Sequence, residues 1–157
     1  MAISVGSKAP DFTLKTSGPN GMEEVTLSNN FGHRNTVLLF FPGAFTGVCT
    51  QEMCDVTSGI QSFGDAAVFG ISVDSPFSLG AFAKQHNIVQ PLLSDYSHAV
   101  TRAYDVELPN FAGLGGPSAK RAAFVIDKEG IIRYSEETPA PAELPHFDLV
   151  RETLSKI

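Results

Sequence analysis

The sequence predicts an α/β fold in which a mixed central β-sheet is flanked by helices and preceded by an N-terminal β-hairpin. Short apolar runs rich in β-branched and aromatic residues alternate with segments of helical period, and a second hairpin and a terminal helix follow them. The 157 residues are 43% hydrophobic and 18% charged. These values suit one domain, residues 1–157, with a substantial buried core.

The first half of the chain contains the N-terminal hairpin and two buried strands. Phe12–Leu14 and Glu24–Leu27 predict the hairpin, with Gly18-Pro19-Asn20-Gly21 between them as turn residues. Thr36–Phe41 and Ala66–Val73 are apolar runs too short for core helices, so they predict strands.

Three segments in the middle of the chain have helical period. Cys49–Phe63 places apolar residues three and four positions apart, which gives one apolar stripe. Ser78–His86 and Ser97–Tyr104 each open on a serine that can cap the first turn. Each segment lies next to a predicted strand, as in an α/β fold.

The last third predicts a hairpin and a final helix. Ala122–Ile126 and Ile131–Tyr134 form the hairpin, because Asp127-Lys128-Glu129-Gly130 between them is typical of a short turn. A final helix is predicted over His146–Ser155, after a loop rich in proline and alanine. In such sheets active sites lie at the carboxyl ends of strands, where the next loop opens a helix.

Charge and hydropathy exclude two classes of partner. The chain has 11 basic and 17 acidic residues, a net charge of -6, and no basic run, so binding to nucleic acid is not expected. Its longest apolar stretch, Val37–Phe41, is far shorter than the ~20 residues that span a membrane. The N-terminus lacks the basic and apolar regions of a secretory signal. We therefore expect a cytoplasmic protein.

Only two cysteines are present, Cys49 and Cys54, too few for the disulfide framework of a small secreted protein. A structural zinc site needs four ligands, and the four histidines are isolated from one another. No glycine-rich loop of the dinucleotide or P-loop type opens a predicted helix. The sequence therefore predicts neither a metal nor a cofactor, and the cysteines become the candidates for chemistry.

Cys49 follows the junction of a predicted strand and a predicted helix. Pro42 ends the strand, and a helix that begins near Cys49 puts its sulfur in the first turn. The free amides and the helix dipole there favour a thiolate. The hydroxyl of Thr46 can donate to that thiolate or to a bound oxygen, or it can cap the helix. Cys49 itself can alternatively be a small core residue.

Cys54 lies five residues after Cys49. In an intact helix this spacing rotates the second sulfur by roughly 140° and raises it by about 7.5 Å. A disulfide needs Cα atoms within about 7 Å of each other, so bridging the pair requires the helix start to unwind. The alternative is that Cys54 is an inert buried thiol.

The segment from Pro42 to Cys49 matches the pattern Pro-x-x-x-Thr-x-x-Cys and resembles the peroxiredoxins, thiol peroxidases with a thioredoxin-like fold. The similarity extends over nearly the whole chain. It includes the N-terminal Lys8–Leu14, the later Pro91–Asp95, and Lys120–Asp127, which resembles the strand that bears the family's active-site arginine.

The resemblance implies a role for each residue of the site. Cys49 is then the peroxidatic cysteine, which attacks the peroxide and becomes a sulfenic acid. Pro42 shields the sulfur from water, and Thr46 hydrogen-bonds the peroxide. Arg121 favours the thiolate and stabilises the charge that develops on the breaking O–O bond; without the motif, it would be interpreted as a surface residue. Glu52 either neutralises arginine charge nearby or simply occupies the first helical turn.

The chain resembles two subgroups of the family in different parts of its sequence. The Cys-x4-Cys spacing is similar to the bacterioferritin-comigratory-protein group, or Q type, in which Cys54 would resolve the sulfenic acid as an intrachain disulfide. Other parts resemble the one-cysteine AhpE-like group. The first resemblance implies reduction of hydrogen peroxide and organic hydroperoxides by a monomer or homodimer, with a thioredoxin-like or glutaredoxin-like reductant.

Three alternatives remain at this point. A one-cysteine peroxiredoxin would use an external thiol instead of Cys54. A non-enzymatic redox sensor would use the same oxidation without turnover. A thioredoxin-like disulfide oxidoreductase is the weakest alternative, because it would carry Cys-x-x-Cys at the helix start, where this chain has Thr46 and Cys49.

Overall fold

The structure is a computed structural model that describes residues 1–157. Its central feature is a mixed sheet of seven strands. Two further short strands pair separately. In chain order the strands are β1 Thr13–Gly18, β2 Gly21–Thr26, β3 Thr36–Phe40, β4 Ala67–Ser72, β5 Leu92–Ser94, β6 Glu107–Leu108, β7 Ser118–Ala119, β8 Ala122–Ile126 and β9 Ile132–Glu137. Across the large sheet the order is β2-β1-β5-β4-β3-β8-β9.

The strand directions confirm the mixed sheet. β3, β4 and β5 are parallel to one another, whereas β8 pairs antiparallel with β3 and β1 pairs antiparallel with β5. The predicted N-terminal hairpin is β1 and β2, with Gly18 opposite Gly21 across the turn. The predicted second hairpin is β8 and β9, in which β9 continues three residues beyond Tyr134, to Glu137.

Four helices complete the fold, and all four predicted helical segments are present. They are α1 Gly47–Ser58, α2 Pro76–His86, α3 Ala99–Ala103 and α4 Phe147–Ser155. No helix combines the length and the apolar character needed to cross a membrane.

Several helix ends differ from the prediction. α1 begins two residues before Cys49 and ends at Ser58, where Gly59 separates it from a short 3₁₀ turn. α2 begins before Ser78 because Ser75 is the cap: its hydroxyl accepts the amide of Ser78. Proline at the first position of α2 suits this early start, since its missing N–H needs no partner there.

The start of α3 is held by Asp95 instead of the predicted Ser97. The buried carboxylate of Asp95 accepts the amides of Val100 and Thr101 at 3.1 and 2.6 Å. Ser97 accepts only the amide of Ala99, at 3.4 Å. A charged acceptor makes the stronger bond to a helix amide, so the carboxylate caps this helix.

The sheet separates two apolar layers. One cluster of 18 buried residues lies on the face covered by α3 and the N-terminal segment, and a cluster of 15 lies on the face covered by α1, α2 and α4. β3 is buried along its whole length, so its side chains alternate between the two layers. Cys49 belongs to the second layer, with Met53 and Val56.

The topology brings three chain segments to one end of the sheet. Phe40, the last residue of β3, pairs with Ile71 of β4 and with Ala122 of β8. The loops that follow β3 and β4 therefore start side by side. Because β8 runs antiparallel to β3, the residue before it, Arg121, lies at the same end.

Candidate active site

Cys49 is the third residue of α1, and no part of it is exposed. The residue one helical turn earlier, Phe45, lies outside the helix, so the amides of the first turn have no acceptors within it. These N–H groups and the helix dipole favour negative charge at this position. Cys49 therefore combines burial with a position at the positive end of a helix.

Arg121 meets Cys49 across the site. Its Nη2 donates to Cys49 Sγ at 3.1 Å, its Nη1 to Glu52 Oε1 at 2.8 Å, and its Nε to the carbonyl of Pro141 at 2.9 Å. The residue is only 2% exposed. The interpretation of Arg121 as a surface residue is therefore wrong, because each of its nitrogens has a fixed acceptor in the interior.

Glu52 is a buried acid that shares the guanidinium with Cys49. It is fully buried, and its Oε2 has no hydrogen-bond partner. Burial raises the pKa of Glu52 from 4.5 to about 7, although the charge and hydrogen bond of Arg121 act in the opposite direction. One cation thus faces two acidic groups, and protonation of Glu52 leaves more of its charge to the sulfur. Glu52 is the sixth residue of α1, so its predicted place in the first helical turn is wrong, and its carboxylate is instead a direct partner of Arg121.

Thr46 stands at the N-cap of α1, but its side chain makes no capping hydrogen bond. Its hydroxyl donates to the carbonyl of Gly43 at 2.8 Å. Because the hydroxyl has donated its only proton to Gly43, its oxygen can take part in a further hydrogen bond only as an acceptor. Thr46 lines a cavity of about 220 Å³ together with Val48, Phe111 and Arg121. A hydroxyl group bound in this cavity could therefore donate to Thr46.

The loop that contains Pro42 and Thr46 is held from both sides by residues that sequence reasoning missed. The hydroxyl of Ser118 donates to the carbonyl of Pro42, which is buried. Asp74 Oδ2 accepts the amide of Ala44 at 2.8 Å. These contacts fix the backbone between the end of β3 and the start of α1.

Asp74 is itself fixed by neighbours. The hydroxyl of Ser72 donates to its Oδ2 at 2.7 Å, and the hydroxyl of Ser94 donates to its carbonyl at 2.6 Å. Phe45, which follows Ala44 in the loop, has φ = 65°, an unfavourable backbone region for a bulky residue. The sequence signal available was the serine that ends β4 and the aspartate two residues later, since the carboxyl ends of adjacent parallel strands lie together.

Cys54 lies on the same helix as Cys49 but does not bond to it. Both cysteines are free thiols, with Cys49 buried and Cys54 half-buried. The residues between them are all helical, so the two sulfurs point in different directions. The structure therefore brings Thr46, Cys49 and Arg121 together and places Pro42 in the loop before them, while Cys54 would join them only after α1 unwinds.

This arrangement suits attack by sulfur on a small polar substrate. Cys49 provides a nucleophile in a water-poor setting, and Arg121 provides a permanent positive charge beside it. Thr46 provides an acceptor at the rim of the cavity. Fixed donors in a buried site stabilise charge that develops during a reaction without having to reorganise.

Comparison with known proteins gives consistent matches. The AhpC/TSA family model matches residues 5–135. Alkyl hydroperoxide reductase E of Mycobacterium tuberculosis is 39% identical over 138 residues, 85% of each chain. Peroxiredoxin Bcp of Bacillus subtilis is 41% identical over 133 residues, 83% of this chain and 82% of that one.

Solved structures agree with these matches. The crystal structure of peroxidoxin BcpB from Mycobacterium tuberculosis aligns with a TM-score of 0.83 at 29% identity, over 99% of this chain and 98% of that chain. The reduced 2-Cys peroxiredoxin of Plasmodium vivax aligns with a TM-score of 0.85 at 27% identity, over 96% and 80% of the two chains. The predicted thioredoxin-like fold is thereby confirmed.

If Cys49 is the sulfur that reacts with hydrogen peroxide, replacing Asp74 should slow that reaction. In Asp74→Ala the amide of Ala44 loses its acceptor, and we expect a fall of about tenfold in the second-order rate constant, the size of effect that one charge-assisted hydrogen bond supports. Asp74→Asn keeps an acceptor oxygen and should recover most of the rate. The chain has no tryptophan, so the reaction is best followed by acid quench and intact mass.

The control for Asp74 is Asp65→Ala, which removes an exposed carboxylate that makes no hydrogen bond to the loop. It should react at the rate of the parent protein. A folded Asp74→Ala variant with the parent rate would contradict a positioning role for this carboxylate.

The buried carboxyl of Glu52 should make stability depend on pH. Its folded pKa of about 7 lies above the unfolded value of 4.5, so the stability it contributes is fully present below pH 4.5 and is lost as the pH rises to about 7. In urea unfolding of the reduced protein, the parent should lose up to about 3 kcal/mol over this range relative to Glu52→Gln.

Glu52→Gln is the matched reference because it keeps an acceptor for Arg121 but does not titrate. All other ionisable groups are the same in the two proteins, so their contributions cancel in the difference. Parallel stability curves from pH 4.5 to 8 would show that Glu52 titrates as it does in the unfolded chain.

Proposed function

This chain belongs to the AhpC/TSA family and is a peroxiredoxin, a thiol peroxidase, and from that premise we propose that Cys49 is its peroxidatic cysteine and Cys54 its resolving cysteine. The observation that carries the proposal is the 3.1 Å hydrogen bond from Arg121 Nη2 to Cys49 Sγ. It pairs the first-turn sulfur of α1 with a buried cation, which is the environment that a reactive thiolate requires.

In the first step the thiolate of Cys49 attacks the terminal oxygen of a hydroperoxide. The S–O bond forms as the O–O bond breaks, giving a sulfenic acid and an alkoxide, or hydroxide from hydrogen peroxide, which takes a proton from solvent to become an alcohol or water. Arg121 stabilises the negative charge that passes from sulfur to the departing oxygen. Thr46 accepts a hydrogen bond from the peroxide hydroxyl, and Pro42 limits the access of water.

In the second step Cys54 attacks the sulfenic sulfur of Cys49. The S–S bond forms, and the sulfenic oxygen leaves as water. Since both cysteines belong to α1, this step requires the helix to unwind between them. A thioredoxin-like or glutaredoxin-like dithiol then reduces the disulfide by exchange.

The substrates in this proposal are hydrogen peroxide and organic hydroperoxides. The cavity beside Thr46 is small, about 220 Å³, and its lining includes Val48, Phe111 and Pro141. Apolar side chains next to the polar groups suit the carbon chain of an organic hydroperoxide. The cycle needs a compartment in which a dithiol reductant stays reduced, as in the cytoplasm.

Replacing Cys54 separates the two steps. Cys54→Ser should keep the parent rate for the first equivalent of peroxide, because the serine takes no part in it. Turnover with thioredoxin, its reductase and NADPH should fall at least about tenfold, since the sulfenic acid loses its intramolecular partner. The measurements are NADPH consumption and intact mass after one equivalent of peroxide.

The matched variant is Cys49→Ser, which should lose both steps. After one equivalent the parent should be two mass units lighter than the reduced protein, as a Cys49–Cys54 disulfide. A stable sulfenic or sulfinic adduct in the parent, with unchanged turnover in Cys54→Ser, would assign the chain to the one-cysteine mechanism with an external thiol. Stoichiometric oxidation without turnover would instead favour a redox sensor.

A further inference from the structure

A buried glutamine outside the site contacts the helix that carries both cysteines. Gln90 lies just before β5 and is 3% exposed. Its Nε2 donates to the carbonyl of Met53 at 3.0 Å, and its Oε1 accepts from the hydroxyl of Thr57 at 2.7 Å. We call these two hydrogen bonds the Gln90 bridge.

Two further contacts support the Gln90 bridge. The amide of Val89 donates to Thr57 Oγ1 at 3.2 Å, and Gln90 Nε2 lies 3.6 Å from the sulfur of Met53. The bridge therefore uses both ends of the Gln90 amide and fixes α1 on either side of Cys54. None of these contacts reaches Cys49, Thr46 or the cavity.

The bond to Met53 acts directly on the backbone of Cys54. The Met53 carbonyl and the Cys54 N–H belong to the same peptide unit, which is planar and rigid. Turning Cys54 towards Cys49 rotates that plane and moves the carbonyl away from Gln90. A disulfide also requires the two Cβ atoms to approach within about 4.5 Å, which no small adjustment of an intact helix provides.

We propose that Gln90 is a positioning residue for the resolving step: the Gln90 bridge holds Cys54 in the helix and slows its attack on oxidised Cys49. This proposal rests on the resolving role proposed for Cys54. The bridge thereby sets how much of the sulfenic acid is resolved and how much is oxidised further.

The two fates of the sulfenic acid differ in what they consume. Resolution joins Cys49 and Cys54 and releases water. Further oxidation consumes a second hydroperoxide, whose O–O bond breaks to give a sulfinic acid on Cys49 and an alcohol or water. Slower resolution leaves the sulfenic acid exposed to peroxide for longer, so the bridge raises the sulfinic share at a given peroxide concentration.

Two variants weaken the bridge. Gln90→Met removes both hydrogen bonds with a side chain of similar length, and Thr57→Val removes the hydroxyl with little change of shape. In Thr57→Val, which keeps the bond to Met53, we expect disulfide formation to become about fivefold faster, the factor for one net hydrogen bond. In Gln90→Met, which loses both bonds, we expect a larger increase, of up to about 25-fold. In cycling assays with thioredoxin at several hydrogen peroxide concentrations, the sulfinic yield per turnover should fall in each variant by the factor by which its disulfide formation becomes faster.

Two control variants isolate the bridge. Thr57→Ser keeps the hydroxyl and should retain the parent partition between disulfide and sulfinic acid. Val150→Ala truncates a fully buried residue of α4 and lowers overall stability without touching the bridge, so its partition should also match the parent. The rate of the first step should be unchanged in every variant.

The outcomes distinguish the two proposals. If the parent forms the disulfide but Gln90→Met and Thr57→Val keep its partition, Cys54 resolves and the inference about Gln90 is overturned. A change of equal size in Val150→Ala would likewise assign the effect to general stability. If no Cys49–Cys54 disulfide forms in any protein, the resolving role of Cys54 fails, and the role of Gln90 falls with it.

Discussion

The guanidinium of Arg121 is the group around which the site is built. Burying a cation is costly unless its donors are satisfied, and the fold provides Cys49, Glu52 and the Pro141 carbonyl as acceptors. These acceptors come from α1 and from the loop after β9. The pairing of β8 with β3 puts Arg121 at the end of the sheet where α1 begins. The position of Arg121 in the site therefore depends on the register of these two strands.

The burial of Arg121 favours a single arrangement of the reduced protein, in which Cys49 stays in contact with the guanidinium. Any movement of Cys49 away from Arg121 leaves a buried donor without its acceptor, which is unfavourable until water or another group replaces it. The loop before α1 is held in the same way, through Asp74 and Ser118. In the proposed cycle, attack by Cys49 on the peroxide benefits from this rigidity, whereas a disulfide between cysteines five residues apart in one helix requires its loss. The two proposed steps therefore make opposite demands on the start of α1.

The sequence predicts those parts of the fold and site that depend on local patterns. The strand and helix periods and the turn chemistry at Asp127–Gly130 identify the four helices and the longer strands but not the short β5, β6 and β7. The spacing of Pro42, Thr46 and Cys49 identifies the loop. The roles of Glu52, Asp74 and Gln90 depend on partners 69, 30 and 37 residues away. No local pattern indicates which distant backbone group a lone carboxyl or amide will meet, so these contacts emerge only from the folded chain.

The distribution of contacts along α1 relates these opposing demands to particular residues. In its first two turns, Cys49 and Glu52 both make their side-chain hydrogen bonds to Arg121. From Met53 onward the helix is attached to the core and to Gln90. In the proposed cycle, oxidation of Cys49 changes only the contact with Arg121, because it replaces the sulfur acceptor and leaves the contacts of Gln90 intact. On this proposal, oxidation acts at the start of α1, while the resistance of Cys54 to movement is set further along the helix by Gln90, which contacts neither Cys49 nor the cavity.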